Sequence, residues 1–405
     1  MPHIEPPGLR RVLGLGLLVF YGLGVIIGAG IYVLVGTVVG KAGPAAPFAF
    51  LAAGLMAALT GICYAELGAR FPEAAGAAAY VKQAFGSDRL SQVTGLAVAA
   101  AALVSAASIA RGCVGYAQLF VDLPGPVIAG GLVVAFTALA CLGVRQSVGV
   151  AALMSLIEIA GLLFVTAVGS PALVELPARA PSMIPADAAG WAGVSAGAFL
   201  AFFAFIGFEN LANMAEEAKD PHRTLPRAIL LSIALSAALY IVVSVVTILA
   251  VPFDLLRTSP APLLLVVQGT PWGSPSLLAA IALLSIANGV LIQILMLARL
   301  FYGMASHGWL PRPLSAVHRT TRVPVRATLL GGALTLFFTL AIPFESLVAA
   351  TSTLNLLIFT LVSLGLWRLH RGAPPSGDRR FTAPRWVPPA AVAVGLGLIT
   401  AQFLA

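Results

Sequence analysis

The sequence predicts an all-α membrane protein of about eleven transmembrane helices, on three observations. Of its 405 residues 60% are hydrophobic and only 9% charged, against roughly 25% charged in a soluble domain. Apolar runs of about 20 residues, the length a helix needs to cross a bilayer, recur between short polar breaks, unlike the weak ten-residue alternation of a barrel. The basic residues sort by side: with the N-terminus inside, all 23 Lys and Arg except Lys41, Arg179, Arg257 and Arg111 fall on the inner side, as the positive-inside rule requires. That sorting accounts for the net charge of +8 without nucleic acid as a partner. The lipid bilayer is the partner, and a cell (inner) membrane the expected location.

Span 1, about 12–39, follows the anchor Arg10-Arg11 and does not read as a cleavable signal, because it runs past Gly30 without a convincing small-residue cleavage site. Span 2 is about 47–67, and a cytoplasmic segment rich in Ala and Gly leads to spans 3 and 4, about 91–120 and 126–143. A tight inner turn at 143–147 precedes span 5, about 148–168. An outer loop over 170–190 leads to span 6, about 191–215, and then span 7, about 228–250. Span 8 is about 276–304, span 9 about 325–342 and span 10 about 347–367. A basic inner loop, 368–385, precedes span 11, which puts Ser376 in the cytoplasm and Ala405 outside. Spans 1–5 and 6–10 occupy similar lengths, and a repeat of odd span number inserts its second copy upside down. The chain therefore divides into 1–170, 171–369 and a remainder, 370–405.

Two spans are expected to break. In Gly22-Leu-Gly-Val-Ile-Ile-Gly-Ala-Gly-Ile-Tyr-Val-Leu-Val-Gly36, Gly28 and Gly30 flank only the methyl of Ala29, so the backbone can leave helical geometry and a ligand can approach it. Phe202-Phe-Ala-Phe-Ile-Gly-Phe-Glu-Asn210 in span 6 has the same character. Non-helical backbone at membrane depth is tolerated where it lines a cavity, which points to a binding site. Glycine also serves helix packing, and Gly24/Gly28, Gly36/Gly40 and Gly193/Gly197 fit the GxxxG pattern. The placing of one break at the head of each half favours a transport site.

Charges inside spans are costly and therefore informative. Glu158 lies about eleven residues into span 5, roughly 16 Å and near the midplane, where a carboxyl serves either as a buried structural acid or as a proton carrier. Glu209 shares a helical face with Asn213 and Glu216 at i, i+4, i+7, a face suited to lining the inward path or bracing neighbours. Arg111, toward the outer end of span 3, is assigned a structural role. Ser285 and Asn288 of span 8 could supply oxygens to sodium, the alternative to a proton.

Enzyme chemistry is excluded on position. Gly193-Val-Ser-Ala-Gly197 matches the nucleophile-elbow pattern, but the elbow needs a preceding strand and a nearby histidine, and all five histidines fall in tails or loops. No dinucleotide fingerprint or phosphate-binding loop occurs. Cys63, Cys113 and Cys141 lie in spans without metal spacing, so no metal and no cofactor are expected.

Several stretches resemble the amino acid, polyamine and organocation transporter family, especially its bacterial, cationic amino acid transporter-like permeases. They are Gly22 to Gly36; Ala110-Arg-Gly-Cys-Val-Gly-Tyr116; Ile157-Glu-Ile-Ala-Gly-Leu162; Phe202 to Glu209 with Glu216-Glu217, Pro221 and Leu225-Pro226; and Ala298 to Pro311. The resemblance implies a five-plus-five inverted-repeat fold of the leucine-transporter type working by alternating access. It further implies an amino acid substrate whose carboxylate meets N–H groups of Ile27, Gly28, Ala29 and Gly30. The substrate amine would meet carbonyls of Val25, Ile26, Phe203, Ala204 and Ile206 around Gly207, with Phe203 and Phe205 as gate or wall. A polyamine or other organocation is the alternative substrate, and proton-coupled uptake or exchange the expected mode. Many relatives have twelve spans, which leaves oligomeric state open.

Overall fold

The computed structural model describes residues 11–404 except 74–75, 119, 260–261, 269, 271–272, 343 and 373–380; of residues 29, 33, 115–116, 144–145, 344–353, 398 and 400–404 it describes the backbone only. The expectations for Arg10, Ser376, Ala405 and the side chain of Ala29 lie outside the described residues.

The helices are α1 (Leu15–Ala42), α2 (Ala46–Arg70), α3 (Ala77–Phe85), α4 (Asp88–Ala117), α5 (Gly125–Leu142), α6 (Val144–Gly169), α7 (Leu176–Met183) and α8 (Ala188–Phe203). After a 3₁₀ segment, Phe208–Glu217, come α9 (Pro221–Ala250), α10 (Phe253–Thr258), α11 (Pro262–Gln268), α12 (Pro275–Ser306), α13 (Val325–Ala341), α14 (Phe344–Gly372) and α15 (Val387–Leu404). Among the described residues eight stretches are long and apolar enough to cross a membrane, and Val325–Ala341 and Val387–Gly397 are shorter apolar helices. With α14 they occupy the places of the expected spans. Among the described residues β structure is limited to one isolated bridge between Leu13 and Ala218.

Three local features depart from the sequence expectation. The Ala-rich segment after span 2 forms α3, whose apolar Ala78, Ala79, Tyr80 and Val81 are buried. α9 begins at Pro221, seven residues earlier than expected, because proline's fixed φ and missing N–H suit a first helical turn. The second half of span 6 is a 3₁₀ helix, not an α-helix.

α1 sits at the centre, packed against α6, α8, α9 and α12. The enclosure of the other helices varies: 72% of the most apolar stretch of α12 is buried, against 28% for α5, so α12 lines the interior and α5 lies at the rim. Outward-facing Leu55, Val93, Leu142, Leu153 and Phe337 are more than half exposed, an apolar girdle that water would not tolerate and lipid would. The start of α1 is tied to the end of span 6: the N–H groups of Val12 and Leu13 donate to the Glu217 carbonyl at 2.9 and 3.0 Å, and that of Lys219 to the Leu13 carbonyl at 2.8 Å.

Candidate functional site

Both expected breaks are present, and they touch. α1 leaves helical geometry at Gly28, with φ 23° and ψ −146°, where a side chain would be strained. A Cβ at Gly28 would meet nothing within 4 Å, so the backbone there faces open space. At Gly30 a Cβ would lie 3.0 Å from Ala204 Cα, so Gly30 is required for close approach. Span 6 ends its α-helix at Phe203 and turns through Gly207, at φ 130°. A Cβ on Gly207 would collide with Val25 Cγ1 and come within 3.1 Å of the Val25 carbonyl oxygen. Each break is thus the other's packing surface.

The carbonyls freed by the breaks are held by hydroxyls. Tyr240 of α9 donates to the Ile26 oxygen at 2.7 Å and the Ala204 oxygen at 3.0 Å, bridging the two breaks. Ser285 donates to the Gly28 oxygen at 2.9 Å. One phenolic proton serves two carbonyls, which leaves them acceptor capacity for a further donor.

Glu158 is fully buried beside this centre. Its Oε1 accepts from Asn288 Nδ2 at 3.0 Å, and that amide also reaches Ser155 Oγ at 3.2 Å. Glu158 Oε2 and Asn288 Oδ1 are buried acceptors with no donor. Tyr32 fixes the same turn by donating to the Glu158 backbone oxygen at 3.0 Å. The structure therefore brings Glu158, Ser285 and Asn288 together with the α1 break, three residues that sequence position alone left on separate spans.

Glu209 lines a cavity beside the span 6 break and is held by the backbone of that break. Its Oε2 accepts the Gly207 N–H at 2.8 Å, so it caps the 3₁₀ segment where the helix dipole favours an anion. With three residues per turn the i, i+4, i+7 face does not form: Glu209, Asn210 and Asn213 line one cavity, while Glu216 instead bonds Tyr302. That cavity, of about 30 Å³, is also lined by Tyr64, Ser105, Gln293 and Asn355. Tyr64 Oη, Asn210 Nδ2, Asn213 Oδ1 and Gln293 Oε1 are buried without a hydrogen-bond partner, so its wall holds unused polar capacity from three elements. As it stands the space takes a water or two, not an amino acid.

Of the remaining expected residues Ile206 lines the same cavity, and others are held in packed surroundings. Ile26, Ile27, Ala204 and Phe205 are buried, and Phe205 lies edge-on against Tyr240 at 5.1 Å. Phe203 stacks edge-on against Phe199 at 5.3 Å. Arg111 donates to the carbonyls of Thr339 and Leu340 at 2.5 and 3.3 Å, bracing α4 against the end of α13.

Position along the chain misled in one respect. Glu66, Glu217 and Arg299 fall near span ends, yet all three are fully buried. Arg299 meets Glu217 through two contacts of 3.1 and 3.3 Å. Glu66 pairs with Arg70, lies 3.0 Å from His370 Nε2 and accepts the Ala383 N–H at 2.7 Å, joining α2, α14 and the lead-in to α15. Burial near a span end is set by which helices pack there, a property that the linear count does not contain. Removing one partner of such a pair strands a buried charge. Arg299→Met is therefore expected to cost about 3–5 kcal/mol, and the double variant Arg299→Met/Glu217→Leu to recover most of it, measured as detergent-solubilised thermal stability. A double variant as unstable as the single would show that the pair is not the cause.

Comparison with known proteins points one way. The family model described as "Amino acid permease" matches residues 13–405. The human protein named "Cationic amino acid transporter 4" is 32% identical over 83% of this chain and 56% of its own length, and an Arabidopsis thaliana "Cationic amino acid transporter 3, mitochondrial" is 31% identical over 92% of this chain and 62% of its own. The chain thus spans little more than half the length of these relatives. The Bacillus subtilis (strain 168) "Branched-chain amino acid permease BcaP" is 28% identical over 98% of this chain and 85% of its own. Among solved structures, that of MhsT in complex with L-phenylalanine superposes with a TM-score of 0.62, covering 97% of this chain and all of that one at 17% identity; it shares the fold.

Proposed function

The chain belongs to the amino acid permease family, and we propose that it carries a free amino acid across a cell membrane by alternating access, driven by a proton. The observation that carries this reading is the contact of the two breaks, with open space at Gly28 and spare acceptor capacity on the Ile26 and Ala204 carbonyls. Freed N–H groups at a half-helix N-terminus favour an anion, and freed carbonyls favour an ammonium. The zwitterionic end of an amino acid offers both at once, its carboxylate to the N–H groups of Ile27 to Gly30 and its amine to carbonyls of Val25, Ile26, Phe203, Ala204 and Ile206. The two halves, 1–170 and 171–369, would rock about this centre, with the Arg70 end of the bundle facing the cytoplasm.

The unused polar groups beside the span 6 break favour a substrate whose side chain ends in a hydrogen-bonding group. In this respect the cavity agrees better with the relatives named for cationic amino acids than with the one named for branched-chain amino acids. Glu158 is the proton carrier in this reading. Its charged form has no cationic partner among the described residues, and burying an unpaired charge is expensive.

The test is uptake by the purified chain in proteoliposomes under an inward proton gradient, with competition from a panel of amino acids and a polyamine. Arginine, lysine or glutamine should compete more strongly than leucine. Gln293→Leu should erode that preference by roughly ten- to a hundredfold, the worth of a hydrogen bond to a charged group. A chain that accumulates no amino acid, or a polyamine alone, overturns the reading.

A further inference from the structure

Arg111 stands where a charge needs a partner. α4 begins at Asp88, which pairs with Lys82 of α3 at the Arg70 end of the bundle. Arg111 lies roughly 35 Å further along that helix at 1.5 Å per residue, and the hydrocarbon of a bilayer is about 30 Å thick, so its guanidinium sits at the opposite border. It is half-buried. Its Nε and one Nη donate to the carbonyls of Thr339 and Leu340, in the last turn of α13. A helix C-terminus carries about half a negative charge, so these carbonyls offset at most part of the guanidinium's, and two bonds leave other N–H donors of the five unused. Among the described residues no carboxylate pairs with it: Asp122, on the α4–α5 link, is exposed and forms no ion pair. A cation at the edge of hydrocarbon is stabilised by an anion.

Beside the guanidinium lies an open groove of about 400 Å³ between α4, α5 and α13. Small residues of its lining, Gly112, Gly125 and Ala129, make the room. A Cβ at Gly125 would lie 3.1 Å from Val114 Cγ1, whereas one at Gly112 would meet nothing within 4 Å; the helices touch at the first and stand apart at the second. The rim belongs to the lipid-facing girdle, since Val127, Phe337 and Leu340 are at least half exposed. A cation at the end of an apolar groove that opens to the bilayer matches an amphiphile with its anion at headgroup level and hydrocarbon beneath. A soluble anion would leave the apolar walls unused. A second copy's apolar face would enclose the guanidinium further without neutralising it, which is costly.

We propose that this groove binds a membrane phospholipid, its phosphate on Arg111 and an acyl chain along Gly112 and Ala129. The lipid would bridge α4, α5 and α13 and stabilise their packing by mass action. The site shares no residue with the two breaks and goes beyond the transport reading.

The test takes the full chain in mild detergent, stripped of lipid and titrated with phosphatidylglycerol, while native mass spectrometry counts the molecules bound. Diacylglycerol with the same chains, and glycerol phosphate, supply the two halves of the ligand separately. One phosphatidylglycerol should bind tightly, diacylglycerol roughly tenfold more weakly, the worth of a hydrogen bond to a charged group, and glycerol phosphate should leave no adduct. Arg111→Gln keeps an N–H₂ for the Thr339 carbonyl but loses the charge, and should weaken the tight site roughly tenfold. Gly112→Phe leaves Arg111 in place and fills the groove, and should remove the tight site. Both should lose the rise in thermal midpoint that phosphatidylglycerol gives the parent chain. A diazirine on the acyl chain should crosslink to α5 or α13 near Ala129 and Leu340. Unchanged affinity in both variants, diacylglycerol or glycerol phosphate bound as tightly as the phospholipid, or crosslinks confined to other helices overturns the site. So does a dimer that Gly112→Phe dissociates, because a second copy would then cover the groove. Glu345, whose side chain lies outside the described residues, is the competing partner for the guanidinium; Glu345→Gln should leave lipid affinity as it is, and a tenfold gain would assign Arg111 to Glu345 instead. Should Arg111→Gln fail to fold, Gly112→Phe and the crosslink decide.

Discussion

Replacing Gly207 by alanine is expected to weaken substrate binding about a hundredfold, and Gly30→Val to do nearly the same for a different reason. At Gly207 the backbone is at φ 130° and the added methyl would collide with Val25. Backbone strain there costs about 1–3 kcal/mol, and forcing the two breaks apart adds about 1–3 kcal/mol. A combined 3 kcal/mol is roughly two powers of ten in an equilibrium constant. At Gly30 φ is ordinary but the Cβ lies 3.0 Å from the Ala204 backbone, so the whole effect is steric and grows from alanine to valine. Gly28→Ala provides the contrast: its methyl meets open space in the protein, so it should leave the packing of the two breaks intact, and its loss of binding should come from its φ of 23° and from the methyl standing where the substrate carboxylate is proposed to lie. Binding of a radiolabelled amino acid to folded, membrane-inserted variants measures the losses. Equal and minor losses at all three would show that these glycines serve helix packing alone.

Glu158→Gln is expected to retain amino acid exchange and lose accumulation driven by an inward proton gradient. The glutamine keeps an oxygen for Asn288 Nδ2, the 3.0 Å contact of Oε1. It also places an N–H₂ where Oε2 now lacks a donor, and so resembles the protonated carboxyl. The variant would be held in the proton-loaded form, able to turn around with substrate on both trips but unable to deliver a proton. Ser285 links the Glu158 neighbourhood to the Gly28 carbonyl, so the two conformations of the α1 break would differ in proton affinity, and that difference is the coupling. Accumulation that survives in the glutamine variant, or that needs sodium, would remove Glu158 from this role.

The sequence alone determined the class of the molecule, the places of its spans and the positions of its two breaks. Each of these is a local property. A run of apolar residues long enough to span a bilayer, a Gly-Ala-Gly at residues 28–30 and a glycine at 207 inside such runs constrain the backbone whatever packs around them. Tertiary structure alone decided which residues meet. Tyr240 reads as one polar-tipped residue in an apolar span until α9 brings its hydroxyl onto two carbonyls that are 178 positions apart in sequence at Ile26 and Ala204. Arg299 and Glu217 read as span-end charges until α12 and the end of span 6 enclose them together. The 3₁₀ winding after Gly207 moved Glu216 off the face expected for it, because the period that sets a face is a property of the backbone path and not of the residue types. Burial and partnership arise between elements distant in the chain, where packing and not spacing fixes the environment of each charge.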